Sequence, residues 1–222
     1  DDGANGIGAS RHHLFREVEK SLKRLRTDYI DLYQIHRADP STPIEETLHA
    51  LDQLVASGKV RYIGCSNYAA WQLTESLWTS RERNLVSFST VQPQYSMLDR
   101  RVETELVPCC QTYGIGILPY FPLANGFLTG KYQRGEAAPD GTRLAENDRG
   151  LFTAANFDIL EGLEAFAQAR DHTVLDLAFA WLLANPAVTS VIAGATKPEQ
   201  VSANSKTAGW TLSPDEMTEI DS

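Results

Sequence analysis

Apolar positions along this chain recur with two periods. One is helical: after Ser10, the residues Leu14, Val18, Ser21, Leu22 and Leu25 fall on one face, and Ile44, Leu48, Leu51, Leu54 and Val55 form a second stripe. The other is the short apolar run of a buried strand, which predicts strands at Tyr29 to His36, Val60 to Cys65, Thr90 to Gln94, Ile115 to Tyr120 and Ser190 to Ala193. Helices are predicted between them. Thr42-Pro43-Ile44-Glu45 reads as a capping box with proline at the first helical position, and Gly58 as the left-handed residue that closes that helix. Trp71 to Trp78 and Val102 to Thr112 supply the next two. An irregular stretch rich in glycine, proline and charge runs from Pro122 to about Gly150. Helices over Phe157 to Arg170 and Val174 to Leu183 follow. Thr196 and Glu199 then cap a helix through Asn204, and Ser213-Pro214-Asp215-Glu216 opens a last one.

Strand and helix alternating at intervals of roughly 30 residues is the βα repeat, which gives an α/β protein with a parallel sheet. An open, doubly wound dinucleotide fold needs a glycine-rich turn after its first strand. No G-x-G-x-x-G and no P-loop occurs here. Polar residues instead end successive strands: His36, Ser66 with Asn67, Gln92 and Tyr120. Functional groups at many strand ends are what a barrel site requires. A complete barrel takes about 250 residues, and this chain has 222. The expected fold is therefore a barrel seen from its middle onward, as one domain over residues 1–222.

Composition narrows the function classes. Acidic residues outnumber basic ones by 29 to 20, giving a formal charge of −9, and no basic stripe suggests a nucleic-acid partner. No apolar run is long enough to cross a bilayer, so no membrane partner is expected. Three cysteines, Cys65, Cys109 and Cys110, lack framework spacing and read as buried free thiols of a reducing, cytoplasmic compartment. No His/Cys cluster has ligand spacing, so no metal is expected.

The strand-end residues carry the candidate chemistry. Alternation puts His36, Gln34, Leu32 and Ile30 on one strand face, with His36 at its mouth. Ser66 and Asn67 both donate and accept hydrogen bonds. Gln92 is a long amide inside a strand and needs a partner if buried, while Tyr120 offers a flat face. Together these suit a planar heterocycle bearing a carboxamide. Gly194-Ala195-Thr196-Lys197 lies between a strand end and a helix start, where free N–H groups attract anions. Lys131, after Gly126 and Gly130, is a second cationic candidate.

The runs Asp28 to His36, Val60 to Asn67, Val91 to Ser96, Pro119 to Lys131 and Ile192 to Asn204 resemble aldo-keto reductases in order and spacing. The loop Tyr120-Phe121-Pro122-Leu123-Ala124-Asn125-Gly126-Phe127-Leu128-Thr129-Gly130-Lys131 resembles the bacterial general-oxidoreductase branch. The resemblance implies an α/β fold that is a partial (β/α)8 TIM barrel, its C-terminal five strands with their helices, which binds NADPH in an extended pose and reduces a small-molecule carbonyl, an aldehyde or ketone, by hydride transfer. Of that family's catalytic Asp, Tyr, Lys and His, only the histidine has a match, His36. The nicotinamide carboxamide would meet Ser66, Asn67 and Gln92, with Tyr120 stacked on the ring and Phe121, in place of a serine, contributing its backbone. Leu123, Gly126, Leu128 and Lys131 would cover the pyrophosphate. Gly194, Thr196, Lys197, Gln200 and Asn204 would hold the adenosine phosphate, and Gln200, where many relatives have arginine, leaves NADH open.

The start Asp1-Asp2-Gly3-Ala4-Asn5-Gly6 has loop composition, and Asp1 to Ser10 resembles a loop that follows the family's other catalytic elements. The resemblance therefore implies that about three strands precede Asp1, and that the 222 residues alone are inactive and marginally folded. His36, Asn67, Gln92 and Tyr120 are expected on one concave face, with Lys197 farther along the groove. Two rival readings are a cofactor-sensing regulatory subunit of potassium channels and an unrelated barrel lyase or isomerase. The latter calls for a strand-end lysine or a ligand cluster, and neither is visible.

Overall fold

Four parallel strands pair in the order β1 (Ile30–Ile35), β2 (Val60–Ser66), β3 (Phe88–Gln92) and β4 (Gly116–Ile117) in a computed structural model that describes residues 6–221. Helices α1 (Arg11–Leu25), α2 (Ile44–Ala56), α3 (Ala70–Arg83) and α4 (Leu106–Tyr113) alternate with them. Consecutive strands as neighbours, each joined through a helix, are the predicted βα repeat. Of the run Asp1 to Gly6, read above as a loop, Asp1 to Asn5 lie outside the described residues. The chain divides into two compact units: Asp1–Pro93 with Thr104–Ile117, and Gln94–Glu103 with Leu118–Ser222.

The first unit contains the whole sheet. Ile35, Ile63, Cys65, Val91 and Ile117 fill its helix-facing side and are buried. Leu48, Leu51 and Leu54, the predicted stripe of α2, are fully buried with them. Removing such side chains from water is worth about 1.5–3 kcal/mol each. Burial also pushes the Cys65 and Cys110 thiols up in pKa, so both are inert core groups, whereas Cys109 is only half-buried. Ser10 caps α1 by accepting from His13 N (3.4 Å), and Arg26 closes it at φ 56°.

The opposite sheet face is set by register. Gln34 stands against Gly64, Gly64 against Thr90, and Thr90 against Gly116. One residue farther on than the Ile35–Cys65 pair come His36 and Ser66, with Ser66 against Gln92. An irregularity in β3 makes this possible. Ile63 pairs with Phe88, yet Gly64 pairs with Thr90, which leaves Ser89 as an extra residue whose hydroxyl donates to Ile63 O (3.0 Å). An extra residue of this kind reverses the alternation beyond it. It turns Thr90 and Gln92 to the side of Gly64 and Ser66 and sends Val91 into the core.

Several predicted boundaries move. β3 is Phe88–Gln92 where Thr90 to Gln94 was expected, because aromatic Phe88 is recruited to the core. β4 stops at Ile117: Pro119 has no N–H to continue a ladder. Thr42 does not cap α2. Its hydroxyl donates to Asp39 (2.8 Å), and Pro43 is the N-cap.

The second unit packs α5 (Ala154–Gln168), α6 (Val174–Ala184), α7 (Pro198–Lys206) and α8 (Pro214–Ile220). Thr173 and Asp176 cap α6 reciprocally, as Ser213 and Glu216 cap α8. The predicted fifth strand is a single bridge, Tyr120 with Ile192, where Ile192 N donates to Pro119 O (3.0 Å). At α7 the N-cap is Lys197, and Gln200 rather than Glu199 turns back onto the helix start.

Gly64 tests the account of the sheet face. A Cβ there would stand 2.4 Å from Thr90 Oγ1 and 3.2 Å from Gln34. Gly64→Ala should therefore cost about 1–3 kcal/mol, read from the urea midpoint. Adding Thr90→Ala should recover part of that loss. A midpoint unmoved by Gly64→Ala would contradict the register.

Candidate functional site

The strand ends of the first unit bring four predicted residues together. β2 ends in buried Ser66, whose hydroxyl donates to Gln92 O (2.7 Å). The next residue, Asn67, turns into the left-handed region at φ 57°, which asparagine tolerates better than most residues. Its N–H donates to Gln92 O (3.2 Å). Its Nδ2 reaches back across the strand ends to His36 O (2.9 Å) and Ser66 Oγ (3.1 Å). Asn67 thus fastens β1, β2 and β3 at their C-terminal ends. Tyr68, buried against Phe88 with ring centroids 5.7 Å apart, anchors the turn from below. The His36 imidazole is exposed, and neither it nor the Gln92 carboxamide has a side-chain partner among the described residues.

One layer below lie Gln34 Oε1 and Thr90 Oγ1, both buried without a hydrogen-bond partner among the described residues. The mouth of β1 opens on a cleft of about 510 Å³ that Ile7, Gly8, His13, Gln34, His36 and Asp39 help to line. A second depression, at Glu19, Lys23, Arg26 and Asp28, lies where β1 begins and holds none of the strand-end groups.

Asp39 shapes the cleft and was not singled out from the sequence. Its carboxylate accepts from Ala9 N (2.8 Å), Ser41 N (2.9 Å), the Ser41 hydroxyl (2.6 Å) and the Thr42 hydroxyl (2.8 Å). The Ser41 hydroxyl foremost, with the other donors, holds it well below the usual carboxylate range. Gly8, at φ 99°, lets the chain pass: a Cβ there would stand 2.5 Å from Asp39 Oδ2. The run Asp39-Pro40-Ser41-Thr42 is a turn signature that could have flagged it.

The second unit holds the remaining predicted residues. Tyr120 bridges to Gln94 and to Ile192 and meets Phe121 edge-on at 5.1 Å. Phe121 holds φ 53°, and its carbonyl accepts from Ala124 N (2.9 Å). Leu123 O accepts from Gly126 N (2.8 Å) and Leu128 N (3.2 Å), which coils the loop into a 3-10 turn, Ala124–Thr129. Leu128 is fully buried, so its side chain serves the loop's shape. Gly126 keeps a bare Cα at φ 96°, and a Cβ there would lie 3.4 Å from Lys131 Nζ. Backbone without a side chain, beside an ammonium, makes a cradle that fits an anion. Past the Ile192 bridge, Gly194 to Lys197 lead into α7. Gln200 Oε1 accepts from Thr196 N (2.7 Å), the Thr196 hydroxyl (3.2 Å) and Lys197 N (3.2 Å). Asn204, on the same helix, accepts from the Thr207 hydroxyl through its carbonyl (2.7 Å). Gln200 thereby holds the N–H groups to which a phosphate would bind.

Comparison with known proteins adds four findings. The sequence profile of the Aldo/keto reductase family matches residues 1–222. The chain is 40% identical over 209 residues to a probable voltage-gated potassium channel subunit beta of Arabidopsis thaliana, covering 92% of this chain and 64% of that protein. It is 36% identical over 228 residues to the L-glyceraldehyde 3-phosphate reductase of Escherichia coli O157:H7, covering 99% of this chain and 65% of that protein. The solved structure of a glycerol dehydrogenase from Gluconobacter oxydans superposes with a TM-score of 0.83 at 31% identity, over 96% of this chain and 64% of that one. The chain thus spans just under two thirds of the length of these relatives.

Asp39 yields a pH prediction. Its folded pKa lies below the unfolded value of about 3.9. The carboxylate therefore stabilises the fold fully above about pH 4 and loses that contribution as pH falls toward the lowered folded value. With the group partly exposed, Asp39→Ala should cost about 1–2 kcal/mol at pH 7. The gap between the two melting curves should narrow as pH drops below about 4. A gap that is constant with pH would remove the carboxylate from the account.

Proposed function

Because the chain belongs to the aldo/keto reductase family, whose sheet and helices here are part of a (β/α)8 barrel, we propose that it forms the nicotinamide-dinucleotide side of a carbonyl reductase. Members of this family generally use NAD(P)H. The observation that carries the reading is the fastened strand-end row of His36, Ser66, Asn67 and Gln92. Ser66 and Asn67 are locked by hydrogen bonds to backbone carbonyls of neighbouring strands, so both side chains are placed before any ligand arrives. Gln92 brings to the same edge an amide without a side-chain partner among the described residues. Such a set matches the donors and acceptors of a carboxamide.

When bound, the dinucleotide would supply the hydride for a small aldehyde or ketone. His36 stands at the mouth of β1 with its ring exposed and would donate to the carbonyl oxygen, stabilising negative charge as it develops there. Tyr120 would present its face to the nicotinamide, with Phe121 contributing its backbone. Leu123, Gly126 and Lys131 would cover the pyrophosphate, with Leu128 buried beneath them to shape the loop. Gly194, Thr196, Lys197, Gln200 and Asn204 would meet the adenosine phosphate. Gln200, already engaged with Thr196 and Lys197, supplies no positive charge, which leaves NADH open beside NADPH. A cytoplasmic setting suits this cofactor and the free thiols.

The resemblance assigns an Asp, a Tyr and a Lys to the same chemistry and implies that they lie outside residues 1–222. We propose that these residues alone bind the dinucleotide without reducing carbonyls. A second reading is favoured by the potassium-channel subunits among the relatives: the same row would hold the dinucleotide as a sensor of its redox state.

Nicotinamide fluorescence during titration of Asp1–Ser222 tests the site. Saturable binding is expected, with about tenfold weakening in Gln92→Ala and no change in its urea midpoint, since the carboxamide has no side-chain partner among the described residues. An aldehyde panel should give no turnover. Affinity unchanged in Gln92→Ala would remove that residue from the site, and turnover would reveal a catalytic set other than the one assigned.

A further inference from the structure

The loop from Phe121 to Tyr132 carries unusual strain. Phe121, Ala124 and Asn125 hold φ of 53°, 45° and 59°, a conformation that disfavours residues other than glycine. The same loop contains two buried side-chain atoms with no hydrogen-bond partner among the described residues, Asn125 Oδ1 and Tyr132 OH. Tyr132 is only 3% exposed. Its ring is held by Phe127, stacked at 6.1 Å, and by Phe152, edge-on at 5.4 Å. Buried hydroxyls of this kind are rare unless something outside the chain completes them.

The surroundings say what that is. A Cβ on Gly126 would lie 3.4 Å from Lys131 Nζ and 3.9 Å from the Tyr132 hydroxyl, so both groups border the same bare stretch of backbone. The ammonium rests 5.2 Å from the centre of the Tyr132 ring. A cation and a hydroxyl donor beside half-buried backbone without a side chain favour an anion with several acceptor oxygens. The Asn125 carboxamide, whose oxygen and nitrogen exchange by a simple flip, can add a further donor.

We propose that Tyr132 is a cofactor-positioning residue: its hydroxyl, with Lys131, holds a pyrophosphate oxygen of the dinucleotide over Gly126. Lys131 lies beside the Tyr132 ring in the free protein and turns to the phosphate on binding. The proposal rests on the function given above and extends it to a residue that neither strand position nor motif assigned. It also accounts for the strain, since a loop built around unmet groups is completed by its ligand.

Tyr132→Phe separates this role from a structural one. The variant removes an unsatisfied buried group, so its thermal midpoint should stay level or rise. Its affinity for NADPH, measured by calorimetry, should nevertheless fall about tenfold. Inorganic pyrophosphate should displace NADPH from the unsubstituted protein and do so less well from the variant. In a double-mutant cycle with Lys131→Gln, the two losses should be less than additive, because both residues hold one group. Failure of Tyr132→Phe to fold, unchanged affinity, or strictly additive losses would each overturn the proposal and leave dinucleotide binding standing. Absence of NADPH binding by the unsubstituted protein would overturn both.

Discussion

In a sheet, a shift of one residue turns every side chain to the opposite face. The strand-end row of this protein depends on that shift being made once, at Ser89. Before it, β2 and β3 run with Ile63 beside Phe88, both in the core. After it, Gly64 meets Thr90 and Ser66 meets Gln92. Without the extra residue, Gln92 would point at the helices and Val91 at the cleft. The Ser89 hydroxyl on Ile63 O holds the irregularity in place, and the glycine opposite Thr90 leaves it room.

From this register the remaining positions follow. Asn67 can cross to His36 O only because Ser66 and Gln92 stand level with the end of β1. That crossing ties three strand ends into one edge, and the left-handed turn at Asn67 directs its amide back over the sheet rather than along α3. Asp39 secures the other side of the same mouth, drawing Ala9 and the turn at Ser41 and Thr42 onto one carboxylate. The site is thus placed on strand ends and on turns whose hydrogen bonds are already made. Such placement limits the entropy lost when a ligand binds.

The βα order, the helix stripes and the strand-end residues were legible in the sequence, because periodicity and abrupt polar endings are local properties. The extra residue at Ser89 was not, since nothing in Phe88-Ser89-Thr90 distinguishes a bulge from plain alternation. That is why β3 was expected two residues late. β4 was expected longer than it is, although Pro119 stood in the sequence as a signal against it. The cap at Thr42 was misread for a different reason: Asp39, three residues upstream, competes for the same hydroxyl. Gln200 was assigned by resemblance, but its three hydrogen bonds with Thr196 and Lys197 depend on α7 geometry that spacing alone does not fix. Tyr132 gave no signal at all, for a tyrosine after Lys131 reads equally as core.

The most direct measurement is the response of the side-chain amide resonances of Asn67 and Gln92 to added nicotinamide dinucleotide, followed by NMR. The account predicts that both shift, and that they saturate at one common dissociation constant. Saturable dinucleotide binding that leaves both resonances unmoved would contradict it.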